Sequence, residues 1–211
     1  FFDIDDTIIR MNSSKALVYG ARKNGLMSFP SFIKAVYQVV LYKLKLKDAI
    51  ETIHKMGSWV AGIHVDEFNK MVDEINKTII ISAIRPEIIE EIRVHKEQNA
   101  EIAILSSAVS AICYPLADFL GIDKVLCSEL ETENGRFTGR PVGKFCFGEE
   151  KLVRLKEYCF INNHSIQEAY YYADSIDDLP VLACVGHPVC ITPDKKLVKY
   201  ATSEGWEIHQ W

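Results

Sequence analysis

Asp3 and Asp5 flank a single isoleucine near the start of the chain, and Asp174 and Asp178 bracket a second acidic cluster far along it. Carboxylates grouped in this way can hold a hard cation, which relieves their mutual repulsion. They can also act as a nucleophile or pass a proton. A third polar cluster, Ser106-Ser107-Ala108, offers hydroxyl and backbone donors without charge. Oxygen ligands with no histidine or cysteine beside them suit Mg²⁺ better than zinc. The six histidines, at 54, 64, 95, 164, 187 and 209, form neither HxH nor HExxH, so a histidine metal site is not expected. A cap histidine touching substrate stays open.

Each polar cluster stands where an apolar run stops. Ala100 to Leu105 reads as a strand ending in Ser106, and Tyr170 to Ala173 as a strand delivering Asp174. Phe1-Phe2 leads into Asp3 but is too short for a strand of about five residues, so further residues are expected before Phe1. Ligands of open α/β sheets bind beyond the carboxyl ends of the strands, so the three clusters can converge. Around them the pattern predicts helices over Pro86 to Gln98, Ser110 to Leu120, Glu149 to Tyr158 and Asp178 to Cys184. A last helix runs from Pro193 to Ser203, capped by Thr192. Short strands are expected at Val125 to Cys127 and Pro188 to Ile191, and Asn134-Gly135 marks a hairpin. Between the first cluster and about residue 84 the periodicity is helical throughout, over Ser14 to Lys23, Phe29 to Leu46, Lys47 to Met56 and Val65 to Lys77. The expected architecture is an α/β sheet interrupted early by a helical insert.

The 211 residues suffice for one α/β domain and a modest insert. With 24 basic against 29 acidic residues the net charge is -5, and no basic run is interleaved with aromatics, so no nucleic-acid surface is expected. No apolar run reaches about 18 residues and no signal peptide stands at the start, which points to a cytoplasmic protein without membrane contact. The cysteines, at 113, 127, 146, 159, 184 and 190, contain no CxxC pair and read as reduced, buried thiols.

Asp3-Ile4-Asp5-Asp6-Thr7, Ser106, Lys151 and Asp174-Ser175-Ile176-Asp177-Asp178 resemble, in order and placement, the four motifs of the haloacid dehalogenase superfamily in its phosphatase branch. Ser106-Ser107-Ala108-Val109-Ser110, Gly135-Arg136-Phe137-Thr138-Gly139, Gly148-Glu149-Glu150-Lys151 and the Leu179-Pro180 pair are similar to the phosphoserine-phosphatase-like subgroup, subfamily IB. The resemblance implies a Rossmann-like, three-layer α/β/α parallel-sheet core, residues 1–11 and 85–211, with a C1-type helical cap, residues 12–84, inserted after the first strand. It implies Mg²⁺-dependent hydrolysis of a small phosphomonoester through an aspartyl phosphate. Asp3 would be the nucleophile, Asp5 the general acid and base, and Lys151 a positive charge beside Asp3 and phosphate. Ser106 and Ser107 would bind phosphate with Lys151. Asp3, Asp5 (by its backbone carbonyl) and Asp174 would hold the metal, with Thr7, Asp177 and Asp178 in support.

The chain departs from a dedicated phosphoserine phosphatase in one respect. The stretch Ile8 to Lys15 has no acid to meet a substrate ammonium, and Arg10 and Lys15 favour an anionic or neutral substrate body. Hinges of the insert are expected near Met11 to Ser14 and Ile81 to Arg85; Arg85, at the second, is either a surface ion-pair residue, the favoured reading, or a further substrate candidate. The apolar segment Phe29 to Lys43 has three competing explanations: packing within the cap, a dimer contact, or a greasy substrate or bilayer surface. A phosphotransferase of the same fold and a phosphatase for a lipid-like phosphate are the alternatives, followed by a catalytically silent regulatory domain. A monomer or homodimer is expected.

Overall fold

The computed structural model describes residues 1–43 and 57–211. The predicted helix Lys47 to Met56, the end of the one beginning at Phe29, and His54 lie outside the described residues.

The sheet is built around a very short central segment. Phe2 pairs in parallel with Ile104 of β1 (Ala103–Val109) on one side and with Tyr172 of β5 (Tyr170–Ala173) on the other. Four backbone hydrogen bonds of 2.9–3.0 Å hold it, running from Phe2 N, Asp3 N, Leu105 N and Tyr172 N. Outward from β1 lies β2 (Lys124–Ser128); outward from β5 lie β6 (His187–Ile191) and β7 (Glu207–His209), all parallel. The order β2-β1-Phe2-β5-β6-β7 is that of a doubly wound sheet, with the order reversing at the first strand, where such folds bind ligands.

Alternation along the strands sends neighbouring side chains to opposite faces. Phe2, Ile104, Tyr172 and Val189 join one buried cluster with Ile88, Ile92, Ile112 and Leu116. These come from α4 (Pro86–Glu97) and α5 (Ser110–Leu120). Leu105, Tyr171, Ala173 and Cys190 join the other with Leu155, Leu182 and Leu197. Those come from α6 (Glu149–Ile161), α7 (Leu179–Leu182) and α8 (Lys195–Glu204). The result is the expected three-layer core.

The insert comprises α1 (Ser13–Lys23), α2 (Phe29–Lys43), a short turn at Ser58–Val60 and α3 (Val65–Ile75). Helices α1 and α3 approach so closely that a Cβ on Gly20 would lie 2.5 Å from Ile75 Cδ1. The helix predicted to reach Lys77 stops at Ile75 and widens into a π turn over Asn76–Ile80. There Asn76 donates to Ala111 O at 3.0 Å and Thr78 Oγ1 to Glu74 O at 2.7 Å, competing with the helical ladder. The hairpin β3–β4 (Leu130–Glu133, Arg136–Pro141) is laced to the cap by Gly62 N–H donating to Phe137 O at 2.8 Å, and by Phe137 N–H and Val65 N–H donating to Ile63 O and Gly135 O at 3.0 Å. Packing within the cap accounts for only part of α2: Phe32 packs inward, while Phe29, Ile33 and Tyr37 are each at least half exposed.

Two local expectations are corrected. Strand β1 runs through Ser106-Ser107-Ala108 to Val109, because the backbone stays extended past a register break between Leu105 and Val109. The last helix is capped by Asp194, whose Oδ1 accepts from Lys196 N at 2.8 Å and Leu197 N at 3.0 Å. Thr192 instead has φ 43° and donates its hydroxyl to Trp211 O.

Candidate active site

Asp3 lies one residue beyond Phe2, and Ser106 within β1 and Asp174 just past β5 lie two residues beyond its partners Ile104 and Tyr172, so the three come together at one edge of the sheet. Carboxylate oxygens of Asp3, Asp174 and Asp178 all lie within 4.8 Å of one another. The Lys151 ammonium enters from the first turn of α6, 2.8 Å from Asp3 Oδ1, 2.7 Å from Asp178 Oδ1 and 3.1 Å from the Tyr171 hydroxyl. Lys151 is only 2% exposed, which rules out the solvated surface lysine that its place on a helix would otherwise suggest.

Three carboxylates against one ammonium leave two uncompensated negative charges in a buried place. Asp174 registers the crowding: burial, followed by the charges of Asp3, Asp178 and Asp6, pushes its pKa up to about 9. Asp178 is raised less, to about 6, because Lys151 offsets part of the burial cost. An all-oxygen donor set with a charge deficit of two fits a hard divalent cation, which would keep Asp174 ionised at neutral pH.

The Asp5 carboxylate is not in this cluster. Its Oδ1 accepts from Ser13 N–H at 2.8 Å and its Oδ2 from Asn12 Nδ2 at 3.0 Å, so it faces the first hinge. Asn12 Oδ1 also accepts from Lys15 N–H at 3.2 Å and caps α1. Burial raises the Asp5 carboxyl to about 7. Asp178 thus stands among the clustered carboxylates, whereas the Asp5 side chain stands outside them.

Asp6 has φ 55°, the left-handed region that glycine enters without strain. Arg85 supports that turn: its Nη2 donates to Asp6 O at 3.1 Å and its Nη1 to Trp211 O. Arg85 is 4% exposed, with both of these donors taken by main-chain carbonyls. It stitches the second hinge to the first motif. Arg85→Ala would leave both carbonyls without their charged donor, and urea unfolding should report a loss of about 2–3 kcal/mol. A loss under about 0.5 kcal/mol would contradict this role.

Arg10 is exposed and gives two 3.0 Å hydrogen bonds to Glu87. Lys15 is exposed in the first turn of α1. Ser106 is fully buried, its Oγ accepting from Ala108 N–H at 3.3 Å, and Ser107 is half-buried. Thr7 Oγ1 is buried without a hydrogen-bond partner. Asp177 is half-buried, its N–H donating to Ser175 Oγ at 3.2 Å. His64 accepts from Asp66 N–H at the start of α3. All six cysteines are free, and no described helix is long and apolar enough to cross a membrane.

Sequence reasoning missed three residues. Asp194 accepts from Ile176 N–H at 2.9 Å while its own N–H donates to Asp174 O at 2.8 Å, which secures the loop after Asp174. Asn12 carried a signal as a cap residue before a serine pair. Tyr171 carried one too: a phenol in a strand covered on both faces needs a polar partner.

A model of the haloacid dehalogenase-like hydrolases matches residues 1–183, and the chain belongs to that family. Its similarities within that family run to proteins named as phosphatases. It is 29% identical over 212 residues to a probable phosphatase of Mycobacterium tuberculosis (strain ATCC 25618 / H37Rv), covering 99% of this chain and 73% of the relative. It is 28% identical to a histidinol-phosphatase of Neisseria meningitidis serogroup C (strain 8013), covering 98% of this chain and 96% of the relative. Its fold superposes on a phosphoserine phosphatase solved as an analogue of its phospho-aspartyl intermediate, with a TM-score of 0.71 at 16% identity, covering 98% of this chain and 90% of that one.

Proposed function

We propose that this chain is a Mg²⁺-dependent phosphomonoesterase with Asp3 as nucleophile, residues 1–11 and 85–211 as its catalytic core and residues 12–84 as a cap that selects the leaving group. The observation that supports this most is the Lys151 ammonium between Asp3 and Asp178, with Asp174 in the same cluster at the strand ends. Asp3 attacks phosphorus, the bond to the ester oxygen breaks, and the departing oxygen takes the proton of Asp5. Water then attacks the aspartyl phosphate, giving its proton to Asp5, and phosphate and free Asp3 result. A carboxyl held near 7 by burial suits both proton transfers at neutral pH. Ser106, Ser107 and the neighbouring backbone N–H groups bind the phosphoryl oxygens with Lys151. Asp3, Asp174 and the Asp5 carbonyl would hold Mg²⁺, which would supply positive charge beside the phosphoryl group.

Phosphoserine and histidinol phosphate, the substrates in the names of a solved neighbour and a relative, are both small phosphorylated metabolites, and that broader class is our first choice, since Ile8 to Lys15 holds no acid to meet an ammonium. Phosphate release should be measured with Mg²⁺ and with EDTA on phosphoserine, histidinol phosphate, sugar phosphates, glycerol phosphate, nucleoside monophosphates and a lysophosphatidate. The expected result is release from at least one small-metabolite phosphate of the panel, lowered about a hundredfold or more by EDTA. Release indifferent to EDTA would overturn the metal, and a preference for the lysophosphatidate would move the reading to lipid phosphates.

A further inference from the structure

We propose that Tyr171 is a positioning residue of the phosphoryl-transfer site, its hydroxyl fixing the Lys151 ammonium between Asp3 and Asp178. This rests on the assignment of Asp3 and Lys151 above.

An ammonium has three N–H donors, and a buried one needs three acceptors. Lys151 has two carboxylates, Asp3 at 2.8 Å and Asp178 at 2.7 Å, and its third acceptor is the Tyr171 oxygen at 3.1 Å. With its donors filled in this way the ammonium has one defined orientation. A third carboxylate in place of the phenol would satisfy the same donor but add to the crowding that already burdens Asp174. The neutral hydroxyl fixes the cation without that cost.

Packing does not call for the hydroxyl. Tyr171 is fully buried in the apolar cluster with Leu105, Leu155 and Cys190, where phenylalanine would fill the same space. Alternation along β5 explains its reach. Tyr172 turns to the opposite face and meets His95 and Glu91, whereas Tyr171 turns to the layer holding α6, and Lys151 sits in the first turn of that helix.

The test is Tyr171→Phe, assayed with the best phosphomonoester of the panel and followed by thermal melting. The expected result is a fall in kcat of about tenfold or more, with KM changed less than about threefold, because a mispositioned cation is felt most as charge develops on the transferring phosphoryl group. The melting temperature should move only by about 2–4 °C, as for one lost hydrogen bond. In a Lys151→Met background, Tyr171→Phe should cost less than a further twofold, since Tyr171 acts through that ammonium. Wild-type kcat in Tyr171→Phe would overturn the proposal, as would a full independent loss in the Lys151→Met background or a collapse of the fold. A Lys151→Met variant with unimpaired turnover would instead fault the assignment on which the proposal rests.

Discussion

Asp3→Asn should lower phosphate release by about 10⁴-fold or more while leaving a folded protein. The amide matches the carboxylate in shape but cannot attack phosphorus, and no neighbour can take its place: the Asp5 carboxylate is turned to the hinge, and Asp178 is paired with Lys151. Stability should change little. The variant removes one of three clustered carboxylates and so relieves repulsion on Asp174, and Lys151 keeps its ion pair with Asp178. Acid quenching after brief exposure to a ³²P-labelled ester provides the check independent of turnover. Wild-type protein should carry label that survives denaturation, and the variant none. Label retained by Asp3→Asn would transfer the nucleophile to another residue.

What was legible in the sequence follows from how locally each signal is encoded. Asp3, Ser106 and Asp174 each end an apolar run, and parallel strands with both faces covered make such ends collect at one edge. Lys151 carried no local signal; burial and two carboxylates far away in sequence define it, and only the family's motif order pointed there. The Asp5 side chain was placed by type but not by direction, because its direction depends on Asn12 and Ser13 at the mouth of the insert. The partners of Arg10 and Arg85 were not legible, because Glu87 and two main-chain carbonyls reach them from far away in sequence. The three residues of β7 were too few to show a period, although αL Gly205 before them marks the end of the preceding helix.

The hinge contacts around Asp5 also determine what its substitution will do. In Asp5→Asn the new side-chain oxygen can still accept from Ser13 N–H, but its amide then faces the amide of Asn12, donor against donor. Turning Asn12 over would relieve that clash and forfeit its cap on Lys15 N–H, so about 1 kcal/mol of stability should be lost. The kinetic effect depends on the leaving group. An alkyl phosphate needs a proton on its departing oxygen, and its turnover should fall about 10²–10⁴-fold. With p-nitrophenyl phosphate the departing phenolate leaves without help, so the first step is spared, while water attack on the aspartyl phosphate still lacks its base. Rapid mixing should therefore show a burst of nitrophenolate close to one equivalent per protein, then slow steady release, with the label on Asp3 accumulating. Equal losses for both substrates and no burst would mean that Asp5 serves the fold of the hinge and that another group moves the proton.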